Sequence, residues 1–166
     1  MEEIAFWSLV ERAKARAGSD INSRPAVLQE LLQELSLPDI QAFQRRYESY
    51  LLLANSWELW GAAYLMNGGS SDDGFKYFRD WLISEGQATF TEALTAPDSL
   101  AQIPQRGDYF ELEAFGYAAL KAFASKGGGE LDREFNVELA APTGKNWEEA
   151  ELPAMFPRLA SRFLRR

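Results

Sequence analysis

The chain has no cysteine and no histidine among its 166 residues. Without cysteine there can be no disulfide, no thiolate zinc site and no cysteine nucleophile. Without histidine it lacks the commonest general acid/base near neutral pH and the commonest transition-metal ligand. Serine triads and histidine-ligated zinc, iron or copper sites are therefore excluded as intact arrangements, and no cofactor is expected. There is no run of about eighteen apolar residues, so no membrane span is expected. Positive charge is also scarce: 17 bases stand against 25 acids, for a net charge of −8 and a pI near 4.7. Such a surface repels phosphate backbones, so no direct nucleic-acid contact is expected, and a basic protein partner would suit it. The N-terminal MEEIAFWSLVER begins with two acids and no basic stretch, which does not fit a signal peptide. A cytoplasmic location is expected.

Apolar material is plentiful. The composition is 46% hydrophobic and 13% aromatic, with eleven Phe and five Trp, enough for one core at this length. No repeat, long charge run or low-complexity tract divides the chain, so residues 1–166 are read as a single helical domain.

Helical spacing recurs along the chain. Phe6, Leu9, Val10, Ala13 and Ala17 predict a helix over residues 2–17, ended by Gly18. Val27, Leu28, Leu31, Leu32 and Leu35 predict a second over 24–36, with Pro25 in its first turn. Ser36-Leu37-Pro38-Asp39 is an N-terminal signature for a third, which carries Ile40, Phe43, Tyr47, Tyr50 and Leu51 to about Ala54. WELWGAAYLM (57–66) is apolar almost all round and should be central, with Gly61, Ala62 and Ala63 permitting close approach of a neighbour. DDGFKYFRDWLISEG follows, with Gly86 ending or bending a helix that continues to about Ala96. Residues 108–125 read as one amphipathic helix. Residues 126–146 read as a long loop in which REFNVEL could be extended, and Asn146-Trp147-Glu148-Glu149 as a cap. A last helix starts near Pro157, its closing arginines suiting a C-terminus. The prediction is an all-α, single-domain orthogonal bundle of about six to eight helices.

LMNGGSSDDG (65–74) joins the most apolar helix to an aromatic one. Gly68 or Gly69 can supply the left-handed residue that ends a helix. Ser70 with Asp73 has capping-box spacing, and Ser71 or Asp72 could cap instead. That leaves a surplus of polar groups: Asn67, Ser70, Ser71, Asp72 and Asp73. Asp72 and Asp73 are weak metal candidates, since the spacing is not that of a calcium loop. They are adjacent on a helix and so do not face each other as a catalytic dyad would. Glu58 stands alone in the apolar helix and could pair with Arg79 or Lys76. With Arg79 and Asp80 these residues form a candidate ligand or interaction site. Trp57, Trp60, Tyr64, Tyr77 and Trp81, with Phe75 and Phe78, could form an aromatic wall beside it, or simply core.

WELWGAAYLMNGGSSDDGFKYFRDWLISEG resembles the hallmark segment of the bacterial family called domain of unknown function 4240. FWSLVERA, IQAFQRRYESYLLLANSWELWGAAYLMNGG and NWEEAELPAMFPRLASRF carry the resemblance over nearly the whole chain. The family has no established activity, so the resemblance implies an uncharacterised all-α protein and brings no catalytic residues with it. Two functions are compatible with the sequence. The first is a non-enzymatic protein-interaction or regulatory module, since no complete catalytic constellation is present. The alternative is a small-molecule-binding protein or hydrolase-like enzyme with a carboxylate site at 67–74.

Overall fold

The computed structural model describes residues 1–134 and 136–164. The fold is all-α. The longer helices are α1 (Glu3–Ala17), α2 (Arg24–Gln33), α3 (Leu37–Leu53), α4 (Trp57–Asn67), α5 (Asp72–Ser84), α6 (Gln87–Thr95) and α7 (Ala118–Ser125). They are followed by two single turns, α8 (Asn136–Leu139) and α9 (Leu152–Met155), and by α10 (Pro157–Phe163). Among the described residues the only strand-like pairing is one parallel bridge between Ser56 and Thr143.

Local chemistry sets the early boundaries. Ser36, Ser56 and Ser71 each accept a hydrogen bond from the backbone N–H three residues on, at 3.3, 3.1 and 3.1 Å. These caps start α3, α4 and α5. Gly68 ends α4 with φ +67°, a left-handed position that costs glycine little. Gly86, at φ +101°, separates α5 from α6, and a Cβ there would lie 2.1 Å from Glu11 Oε1. Of the two readings of Gly86, ending or bending a helix, the structure has the first: α5 stops at Ser84 and α6 starts at Gln87.

The packing starts from α1 on α2, α2 on α7 and α3 on α7. Phe6 stacks on Phe43 at 4.6 Å, and Trp7 donates to the Tyr50 hydroxyl at 3.1 Å. A second aromatic row runs Trp57–Trp60–Phe75–Phe78–Trp81–Phe110–Phe163, with successive centroids 4.9–6.3 Å apart. On α4, Leu59, Ala62, Ala63, Leu65 and Met66 are buried. Its close neighbour is the C-terminal segment: a Cβ on Gly61 would lie 2.8 Å from Leu152 Cδ2 and 3.1 Å from Trp147 Nε1.

The predicted helix over 108–125 is α-helical only from Ala118. Residues Glu113–Tyr117 form a 3-10 turn, and what precedes it is irregular. The backbone N–H groups there bond elsewhere: Phe110 to Asn67 Oδ1 at 2.8 Å and Leu112 to the Tyr77 carbonyl at 3.0 Å. The REFNVEL segment is not an isolated extended piece. Phe135 lies outside the described residues, and Asn136–Leu139 is a helical turn closed by Ala140 N to Asn136 O at 2.8 Å. With no strand alongside among the described residues, a local bond satisfies the Ala140 N–H. The cap near Asn146 falls two residues later, where Glu148 and Glu151 form a capping box. The closing Arg165 and Arg166 lie outside the described residues.

From Gly129 the chain returns across α3. Gln41 clamps Asp132 with both ends of its amide, Nε2 to Asp132 O at 3.0 Å and Asp132 N to Oε1 at 2.9 Å. Glu48 accepts from Glu134 N at 2.7 Å, and Asn55 donates to Ala140 O at 3.0 Å. Leu131 and Val137 are the buried apolar anchors of this strap.

Candidate functional site

Asp73, Tyr77 and Asp80 follow one another along α5 at spacings of four and three residues, so they share a face that runs from solvent into the interior. Asp73 is exposed, Tyr77 is half-buried and Asp80 is fully buried.

At the inner end, Asp80 Oδ1 accepts from the Tyr47 hydroxyl at 2.5 Å and Oδ2 from Lys76 Nζ at 2.8 Å. Burial pushes the Asp80 carboxyl up to about 6, against the opposing pull of Lys76, the Tyr47 hydrogen bond and Arg79. Burial and the Asp80 charge raise the Tyr47 hydroxyl. The backbone fits closely here: a Cβ on Gly116 would lie 2.8 Å from Asp80 Oδ1. Beside the cluster lies a cavity of about 20 Å³ lined by Gln44, Tyr47, Glu48, Lys76, Arg133 and Glu134, among others. That volume suits one water molecule rather than a substrate. Glu48 Oε1 is buried without a hydrogen-bond partner. The arrangement is a protonated phenol donating to a buried carboxyl that titrates near 6, beneath the strap.

At the outer end, Asp72 and Asp73 open α5 and face solvent. Tyr77 is raised by burial, by a hydrogen bond and charge from Glu113, and by Asp73. The Tyr117 hydroxyl donates to Glu113 Oε1 at 3.2 Å. Glu111 is raised by partial burial and by Glu113. Among the described residues, no ion pair neutralises Asp72, Asp73, Glu111 or Glu113. A Cβ on Gly74 would lie 3.3 Å from Ser71 Oγ and 3.4 Å from both Ser70 Oγ and Glu111 Oε2. Two hydroxyls and a carboxylate thus converge at the start of α5.

The other predicted residues are distributed as follows. Asn67 is bonded to the Phe110 backbone, Ser71 caps α5, and Ser70 Oγ is buried without a partner. Glu58 is exposed and does not pair with Arg79 or Lys76. Arg79 instead donates to the Leu51 carbonyl at 2.7 Å and lies 4.7 Å over the Phe75 ring, while Lys76 is taken by Asp80. Burial lowers Arg79 to about 10. Of the aromatic wall, Trp57 and Trp60 stack at 5.1 Å, and Trp57 and Tyr64 meet Trp147 edge-on. Trp81 lies in the core, and Tyr77 stands apart on the acidic face. Among the described residues no group of three or more acids is placed to hold a metal ion, and no helix is long and apolar enough to cross a membrane.

The sequence reading missed Tyr47, Glu48, Glu111, Glu113 and Tyr117 as site residues. Only the pairing of Lys76 with Asp80, four apart on one helix, had a readable signal. Against known proteins, a model of the family described as "Protein of unknown function (DUF4240)" matches residues 1–125. The match ends with α7 and stops short of the segment NWEEAELPAMFPRLASRF. No curated protein and no solved structure matches the chain.

Proposed function

We propose, for a chain that belongs to the DUF4240 family of proteins of unknown function, a non-enzymatic role: it holds a basic protein partner on the acidic face of α5. The observation that carries this reading is that, among the described residues, none of Asp72, Asp73, Glu111 and Glu113 forms an ion pair. Like charges crowded on one face repel, and a cationic partner relieves that repulsion. Tyr77 and Tyr117 add aromatic faces on which arginine or lysine can rest. Catalysis is disfavoured because the buried carboxyl, Asp80, has both oxygens engaged and adjoins a space too small for a substrate.

The test is binding of an arginine-rich peptide, measured by calorimetry at two salt concentrations. The triple variant Asp73→Asn, Glu111→Gln, Glu113→Gln is compared with a control of equal charge change, Glu30→Gln, Glu34→Gln, Glu92→Gln. Affinity should fall at least tenfold in the first and little in the second. Equal losses would mean that only net charge matters, and the reading would fail.

The convergence of Ser70, Ser71 and Glu111 around Gly74 favours a second reading, a small-molecule or hydrolase-like site at 67–74. It predicts a thermal shift with a metabolite panel that Ser70→Ala abolishes.

A further inference from the structure

A groove of about 600 Å³ lies between the C-terminal end of α4 and the C-terminal turns of the fold, in the size range of small-molecule sites. Its walls are mostly apolar. Leu65 comes from α4, Ala150 and Pro153 from the turns around α9, and Leu164 follows α10 with 47% of its surface exposed. Tyr64 and Gly68 complete the α4 side, and Glu149 completes the other.

Glu149 is the charged residue of this lining. It is exposed and, among the described residues, forms no ion pair. It stands beside the Tyr64 hydroxyl, whose pKa is raised by a hydrogen bond to Glu149 and by its charge. An ionised carboxylate has about four lone-pair sites, so one phenol leaves most of them open. The helix end adds to this charge. α4 stops at Asn67 with Gly68 as its cap, so the groove sits at the negative end of the α4 dipole. Gly68 N and Gly69 N both bond to the Tyr64 carbonyl. That cap leaves the carbonyls of Leu65, Met66 and Asn67 unmet, as at an ordinary helix end.

We propose that this groove binds a small molecule carrying an ammonium group on an apolar body, with the ammonium on Glu149 and the body along Leu65, Pro153 and Leu164. Charge complementarity selects this occupant. The lining offers a carboxylate and a helix C-terminus and, among the described residues, no lysine or arginine. An anion would be repelled by both, and a neutral molecule would gain nothing from either. Glu149, Ala150, Pro153 and Leu164 lie beyond residues 1–125, so one side of the groove comes from outside the family match. Asp72, Asp73, Glu111 and Glu113 do not line it, so this site and the acidic face of α5 stand or fall separately.

The test follows the backbone amides of Gly68, Gly69 and Ala150 by NMR at neutral pH. The titrants are phenethylammonium chloride, phenethyl alcohol and sodium phenylacetate, which share an apolar body and differ in charge, with ionic strength held by sodium chloride. A saturable shift with the ammonium is expected, at an affinity about tenfold above that of the alcohol, the effect of one charged contact. The phenylacetate should not saturate. Glu149→Gln should weaken the ammonium about tenfold and leave the alcohol unchanged. Glu58→Gln makes the same charge change in the first turn of α4 and should leave both unchanged. Both glutamates are exposed, so neither substitution threatens the fold. No saturation with the ammonium, equal affinity for the alcohol or the phenylacetate, or equal losses in Glu149→Gln and Glu58→Gln would overturn the proposal.

Discussion

Arg24–Glu85 and Lys76–Asp80 are both ion pairs set into the core, but the charge that is sealed differs. In the first pair both side chains are shut away, at 1% and 5% exposure, and in the second Asp80 is at 0% while Lys76 keeps 21%. A carboxylate needs few donors, and Tyr47 and Lys76 give Asp80 one bond on each oxygen. A guanidinium carries five N–H donors in a fixed plane, and a single carboxylate with a serine cannot meet them all. The first pair therefore leaves guanidinium N–H groups without acceptors, whereas Asp80 has a donor on each oxygen. The contrast shows that a buried charge is best judged by the donors and acceptors left over rather than by whether it has a partner.

The sharpest way to break this contrast is to strand each cation in turn. Glu85→Ala leaves Arg24 without its counter-ion in the core and should cost about 3–5 kcal/mol in urea unfolding. Asp80→Ala strands Lys76, whose partly exposed ammonium can turn to water, so the loss should be smaller, about 1–3 kcal/mol. If Asp80→Ala costs as much as Glu85→Ala, exposure of the surviving partner is not what separates the pairs.

The next effect depends on pH. The Asp80 carboxyl sits at about 6 in the folded chain, above its ordinary value of 3.8. Between those values the folded state keeps a proton that the unfolded state has released. Its contribution to stability is therefore fully present below about pH 4 and lost as pH rises through 6. Relative to Asp80→Asn, the parent protein should lose on the order of 2–3 kcal/mol between pH 4 and 7, measured by denaturant titration. Lys76→Gln should move the Asp80 midpoint higher still, more than Tyr47→Phe does, as read by carboxyl carbon NMR. The smallest effect belongs at the surface: Asp72→Asn should change stability by no more than about 0.5 kcal/mol, since only an exposed helix-dipole contact is lost.

The first half of the chain was legible because its boundaries are local chemistry. Ser36 and Ser56 cap helices where the sequence placed starts, and Gly68 stops one where a stop was expected. Residues 108–117 were misread because Leu112, Phe115, Ala118, Ala119 and Ala122 have helical spacing, yet Phe110 and Leu112 are buried from an irregular backbone whose N–H groups bond to α4 and α5. Periodicity reports which side chains go inside, not where the backbone bonds go. Asp80 was singled out, but its chemistry was not, because Tyr47 reaches it across 33 residues of sequence. Glu85 and Arg24 are 61 apart, a separation at which a single sequence carries no pairing signal.

The notch at Gly61 has a consequence for synthesis. α4 is complete at Asn67, yet Trp147, Leu152 and Phe156, which fill the space against it, come about eighty to ninety residues later. At roughly 5–20 residues per second, a ribosome needs about 4–18 s to make that stretch. For that interval the Gly61 face of the most apolar helix lacks the side chains that cover it in the finished fold.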